Sequence, residues 1–186
     1  MQTDLINVRY RKLMIVNDSK LLSLSIFACE EAGYDIPHHE QHGTVHIKGD
    51  SPPEGSLDHC MVERMFLQIG TQITYLQENK YPLLSIDPKD IVQCGENFVL
   101  TGGQIGEHQK ADGESIRVTS PYKRSKYVTP LLRNNTYLPV LVPSNSPFYS
   151  LARVCMQAVT NKVADGSRLH YALERCLASP HNFVFI

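Results

Sequence analysis

The sequence predicts an α+β protein in which a small β-rich piece, residues 1–55, precedes a mostly helical piece, residues 56–186. Three observations carry this reading. The hydrophobic period changes from two residues to 3.6 along the chain. The change falls at Gly49-Asp50-Ser51-Pro52-Pro53-Glu54-Gly55, a segment that breaks regular structure. Two further helical patterns then close the chain after a long stretch rich in Gly, Pro, Ser and Asn, the segregated order of an α+β fold.

Taken in order, Val8, Tyr10, Lys12, Met14 and Val16 alternate with Arg9, Arg11, Leu13 and Ile15, and Leu22, Leu24 and Ile26 alternate with Ser23, Ser25 and Phe27. Two alternating runs around Asn17-Asp18-Ser19-Lys20 predict a β-hairpin. The rival, a helix from Ser19 to Gly33, must take serines 23 and 25 into its interior. A polar loop from Glu30 to His42 leads to a third strand, Gly43 to Lys48. Next, Val62, Met65, Phe66, Ile69, Ile73 and Leu76 form one apolar stripe of a helix. Ser56 or Asp58 caps it, Asn79 and Pro82 end it, and close packing explains Gly70 within it. Strands follow at Asp90–Gln93 and Asn97–Leu100, split by Cys94-Gly95-Glu96. Residues 102–146 read as irregular, a length of loop that usually serves a function. A helix capped by Ser146 with Pro147 at its first turn buries Leu151, Val154, Cys155, Ala158 and Val159. Another opens near Gly166-Ser167, buries Leu169, Leu173, Cys176 and Leu177, and ends before Pro180.

The 186 residues are 42% hydrophobic and 20% charged, a globular composition. Lys plus Arg number 18 against 19 for Asp plus Glu, so no large basic field exists to hold nucleic acid or an acidic membrane. No apolar run approaches the roughly 20 residues of a membrane span, and the first residues lack the basic and apolar regions of a signal peptide. The five cysteines never pair as Cys-x-x-Cys and read as reduced thiols. A cytoplasmic protein is expected.

Several short stretches resemble the C-terminal lobe of the protein kinase family. Tyr75-Leu76-Gln77 is similar to the Tyr-Leu-His that ends the family's long helix. Leu83-Leu84-Ser85-Ile86-Asp87-Pro88-Lys89-Asp90 lies without a gap over His-Arg-Asp-Leu-Lys-Pro-Glu-Asn. Lys126 to Arg133, with Thr129-Pro130-Leu131, resembles the Ser/Ala-Pro-Glu end of an activation segment. Phe148-Tyr149-Ser150-Leu151-Ala152 is similar to the Val-Tyr-Ser-Leu-Gly of the buried central helix, and Arg175-Cys176-Leu177 to the Arg-Cys-Leu before an Asp-Pro. The matches cover about residues 56–180 in the family's order, and resemble in particular the kinase-like proteins of large DNA viruses. The resemblance implies a truncated N-terminal β lobe followed by a helical C-terminal lobe.

The departures fall on the chemistry. Phosphoryl transfer needs a carboxylate to orient the attacking hydroxyl, metal ligands, and a lysine with a Gly-rich loop. The resemblance sets Ser85 at the catalytic aspartate, Asp87 at the motif's lysine and Asp90 at the metal-binding asparagine. Gly102-Gly103-Gln104 stands where Asp-Phe-Gly is expected, and Leu131 replaces the glutamate of the activation segment. No Gly-x-Gly-x-x-Gly or Val-Ala-Ile-Lys precedes them. Groups that act as one unit are not lost piecemeal without losing the reaction. A non-catalytic kinase-like module is therefore expected, without cofactor, binding ATP poorly and working through a protein partner or self-association. The alternative is a divergent phosphotransferase with Asp87 or Asp90 as base.

Three other clusters carry competing readings. His38, His39, His42 and His46 are half of the eight histidines. They suit a transition-metal site or, more plainly, a solvated loop. Gly102 to Gly106 lacks the spacing of a phosphate cradle. Lys123-Arg124-Ser125-Lys126 with Tyr122 and Tyr127 is a small basic-aromatic patch, suited to phosphate, a nucleic-acid strand or an acidic partner. Cys94 is expected in an exposed turn, unactivated for lack of an adjacent cation.

Overall fold

The computed structural model describes residues 13–15, 19–106 and 115–185. Most of the first alternating run, residues 1–12 and 16–18, lies outside them; its one described piece is strand β1, Leu13–Ile15. The second run is not a strand. Ser19–Glu31 form helix α1, because burial recurs at Leu21, Leu22, Ser25, Ile26, Ala28 and Cys29, a helical stripe that packs on the next helix. The alternation of Leu22, Leu24 and Ile26 is incidental to it. Ser25, which argued against a helix, is enclosed with its Oγ unpaired.

The expected polar loop is also shorter than its sequence suggests. His38–Gln41 form strand β2, and Thr44–Lys48 form β3. They pair antiparallel through His42-Gly43, both at positive φ, the backbone of a tight hairpin turn. With β1 they make a three-stranded sheet in the order β1-β3-β2. Residues 49–55 hold no strand or helix, and Asp50 bridges to Gln93 beyond them.

Helix α2, His59–Glu78, follows the predicted stripe. Asp58 Oδ1 caps it by accepting from Met61 N at 2.8 Å. A Cβ on Gly70 would lie 2.2 Å from the Phe185 ring, so this glycine is fixed by packing. Beyond α2, strand β4 (Leu83–Ser85) runs into a 3₁₀ turn (Pro88–Asp90). Strands β5 (Ile91–Cys94) and β6 (Asn97–Leu100) then form a hairpin about Gly95. Cys94 is therefore buried at the end of β5 rather than exposed in the turn.

The stretch 102–146 is less irregular than expected. Strand β7 (Gln104–Ile105) pairs with β4. Strand β8 (Ser115–Val118) pairs with β9 (Val140–Pro143), with the short helix α3 (Pro130–Asn134) between them in sequence. Val128, Leu132 and Leu84 share one apolar cluster with this pair. Pairing between distant strands leaves little local signal, which is why the stretch looks irregular in sequence.

Helix α4, Ser146–Ala158, is the most enclosed of the described helices, packed on α2, β4 and the last helix, α5 (Arg168–Ala178). Asn145, not Ser146, is its N-cap. The Ser146 hydroxyl instead donates to Pro143 O at 2.6 Å. Ser167 caps α5 by accepting from His170 N at 3.1 Å. The main core joins α2, α4 and α5 to β4 and β6. A second cluster joins α1 and β3 to β5 and β6, so residues on both sides of segment 49–55 share apolar packing. Mixed α and β structure with small antiparallel sheets is the architecture.

Candidate functional site

Of the three positions singled out by sequence, Ser85 ends strand β4, and Asp87 and Asp90 lie in the turn that connects it to β5. Strand β4 is buried at every residue, which anchors Ser85. Pro88 then starts a 3₁₀ turn that folds Asp90 back on Asp87. Asp87 N donates to Asp90 Oδ2 at 2.7 Å, and Asp90 N donates to Asp87 O at 2.9 Å.

Ser85 is enclosed, and its hydroxyl accepts from Gln104 Nε2 at 3.0 Å. The same amide donates to Lys123 O at 2.9 Å, while Gln104 Oε1 accepts from Lys123 N at 2.6 Å. One glutamine thus ties β4 to segment 122–127, with Ser85 19 residues before it and Lys123 19 residues after it. A buried neutral hydroxyl, whose oxygen is very weakly basic and already accepts a hydrogen bond, is a poor general base.

Segment 122–127 closes over Asp87. Lys123 Nζ stands 3.5 Å from Asp87 Oδ2, and Ser125 Oγ stands 3.4 Å from Asp87 Oδ1. Asp87 is 13% exposed and Lys123 65%, so the pair is long, largely solvated on the lysine side and weak. The aromatic members of the basic patch are engaged elsewhere. Tyr122 Oη donates to Leu132 O at 2.6 Å, and the Tyr127 hydroxyl meets Gln157. Arg124 and Lys126 stand over these two rings at 6.0 and 5.3 Å. The rings are no open stacking platform for bases.

Asp90 faces the glycines. A Cβ on Gly102 would come within 2.9 Å of Asp90 Oδ1, and one on Gly103 within 2.5 Å of Leu83 Cδ1. These glycines permit close approach to the turn. Burial pushes the Asp90 carboxyl above the usual aspartate range, against the pull of the Asp87 N–H bond. The site therefore brings together the carboxyls of Asp87 and Asp90, the ammonium groups of Lys89 and Lys123, and the hydroxyls of Ser85, Thr101 and Ser125. No histidine stands beside either acid among the described residues.

The histidine cluster is only half assembled. His39 and His46 are cross-strand partners with rings stacked at 4.9 Å. His38 alternates to the other face of β2 and bonds Ile36 O through Nδ1 at 2.8 Å, and His42 forms the turn. Three or more metal-capable side chains do not converge anywhere among the described residues.

Sequence reasoning missed Gln68 and Gln72, which are buried on α2 and hold the free edge of β6. Phe98 N donates to Gln68 Oε1 at 2.7 Å and Leu100 N to Gln72 Oε1 at 2.8 Å. Four helical residues rise about 6 Å and two strand residues about 6.7 Å, so glutamines at i and i+4 match alternate amides of a strand. Their only mark in the sequence is that both lie within the apolar stripe. Four of the five cysteines are buried, and burial raises Cys29 and Cys176 to about 12, as inert core groups. No described helix is long and apolar enough to cross a membrane. No protein-family model matches the chain, and no curated protein matches it.

Proposed function

We propose that this chain is a kinase-like module that has lost phosphotransfer chemistry and acts by binding a protein or a second copy of itself. The observation that carries the reading is the state of the β4–β5 turn. The position aligned with the catalytic aspartate is an enclosed serine whose hydroxyl accepts from Gln104. Asp90 and Gly102, aligned with the family's two metal ligands, are in contact range, yet only one carries a carboxylate. Asp87, aligned with the lysine that faces the γ-phosphate, brings the opposite charge. The element order supports the same reading: a long helix, a turn, a strand pair, a connecting segment and an enclosed helix.

Binding to a protein draws support from the surface of segment 130–141. Leu131, Tyr137, Leu138 and Leu141 are exposed there, Tyr137 to 81%, and grouped exposed apolar side chains mark interaction surfaces. The alternative, transfer with Asp90 as base, rests on its raised pKa.

Thermal melting with Mg-ATP separates the two. A site filled at a hundred to a thousand times its dissociation constant adds about 2.7–4.1 kcal/mol. The expected result is an unmoved Tm and no transfer from labelled ATP. A shifted Tm, or transfer abolished by Asp87→Ala or Asp90→Ala, overturns the proposal.

A further inference from the structure

Two arginines meet at Tyr149 of α4 with no ion-pair partner among the described residues. Arg153 Nε and Nη2 lie 3.2 and 3.0 Å from Tyr149 Oη, and Arg133 Nη2, from the last turn of α3, lies 3.0 Å from the same oxygen. Arg133 Nη2 also reaches Val128 O, at 3.5 Å. Neither guanidinium belongs to an ion pair among the described residues.

The donors and acceptors here do not balance. Each guanidinium carries five N–H donors, and a phenol oxygen accepts two hydrogen bonds. Three donors converge on Tyr149 Oη, and the tyrosine as a whole is only 2% exposed. Its own proton has no acceptor among the bonds it makes. Arg133 Nε, on the same edge of the fork as Nη2, is enclosed and unpaired. Such a deficit in a half-enclosed place is costly, and the two like charges that share one neutral oxygen also repel. An oxyanion supplies what is missing: several acceptor lone pairs and negative charge. Two forks flanking a hydroxyl donor fit a tetrahedral group better than a planar one. A charge of +2 is matched by a phosphate monoester, which carries about −1.5 to −2 near neutrality. Arg153 is exposed and Arg133 half-buried, so the cluster opens to solvent on one side.

We propose that Arg133 and Arg153 form a binding site for a phosphate group, with the Tyr149 hydroxyl as its floor. The site is independent of the β4–β5 turn and of the reading given to that turn.

The test is calorimetric titration of the full chain with inorganic phosphate and with O-phosphoserine at constant ionic strength, with acetate as the carboxylate control. Saturable binding of phosphate, weakened about tenfold or more by Arg153→Gln as expected for a lost charge-assisted bond, supports the site. Tighter binding of the phosphoserine assigns its natural source to a phosphorylated protein, and tighter binding of inorganic phosphate to the free ion. The melting temperature of Arg153→Gln without ligand checks that it folds. Should it not fold, Arg153→Lys, which keeps the charge and loses the fork, must show the same weakening. Absence of saturable phosphate binding, equal binding by the variant, or equal affinity for acetate overturns the proposal.

Discussion

Two polar clusters flank the strand pair β5–β6, and they are built to different standards. On the α2 side, Gln68 and Gln72 meet β6 at 2.7–2.9 Å, with Gln72 wholly enclosed and Gln68 nearly so. On the turn side, Asp87 meets Lys123 and Ser125 at 3.5 and 3.4 Å, with the lysine mostly in water. The first cluster closes a sheet edge against a helix, so every donor has a fixed acceptor. The second leaves charged groups at the surface in loose reach of one another. The hydrogen bonds are short where α2 meets β6 and long between Asp87 and segment 122–127.

The sharpest way to break this contrast is Gln72→Leu. The side chain keeps similar volume, so the change isolates the hydrogen bonds. Leu100 N loses its acceptor and Phe98 O a donor in a site without water access. Each unsatisfied buried group costs about 1–3 kcal/mol, so urea unfolding should show a loss of about 3 kcal/mol at unchanged m. Gln68→Leu should lose less, because only Phe98 N is stranded in the interior. A loss under about 1 kcal/mol at Gln72 would place the strength of the α2–β6 contact in its apolar packing instead.

A smaller effect is expected one turn away. Gly70→Ala gains about 1 kcal/mol of helix propensity but drives a methyl into the Phe185 ring, which stacks on Phe148 and meets Phe66 edge-on. Overpacking of this kind costs about 1–3 kcal/mol, for a net loss near 1 kcal/mol. Adding Phe185→Ala removes the obstacle. In a double-mutant cycle the alanine at 70 should then stabilise, a reversal of sign that additivity forbids for independent sites.

How much of this was legible depends on the range of the interaction. The stripe from Val62 to Leu76 and the turn at Gly95 are local, and both stand plainly in the sequence. Helix α1 is hidden because Leu22, Leu24 and Ile26 satisfy a period of two, while the buried set, Leu21, Leu22, Ser25, Ile26, Ala28 and Cys29, satisfies 3.6. Packing on α2, β3 and β6 decides between the periods, and it buries a serine to do so. The site is legible as residue types and not as an arrangement. Ser85, Asp87 and Asp90 are close in sequence, but Gln104, Lys123 and Ser125 reach them across 19 to 38 residues. Arg133 and Arg153 converge only because α3 packs beside α4, which no spacing along the chain announces.

The smallest effect separates the turn from the scaffold by pH. Burial raises the Asp90 carboxyl above its unfolded value near 3.9. Between that value and the folded one, the native state binds more protons than the unfolded state, so stability falls as pH rises through the window. Below both values the group is protonated in each state and this term vanishes as a difference. Asp90→Asn keeps an oxygen for the 2.7 Å bond from Asp87 N and removes the charge. The variant should therefore match the parent near pH 3 and melt higher by a few degrees at pH 7, the gap opening across that window alone. Gln72→Leu should show a gap that does not depend on pH, because none of its three bonds titrates. A constant offset for Asp90→Asn would mean that hydrogen bond and burial balance at the carboxylate, whereas a variant that loses stability relative to the parent as pH rises would mean that the hydrogen bond holds the carboxylate more strongly than burial opposes it, and the turn would then rank with the scaffold as a fully built polar cluster.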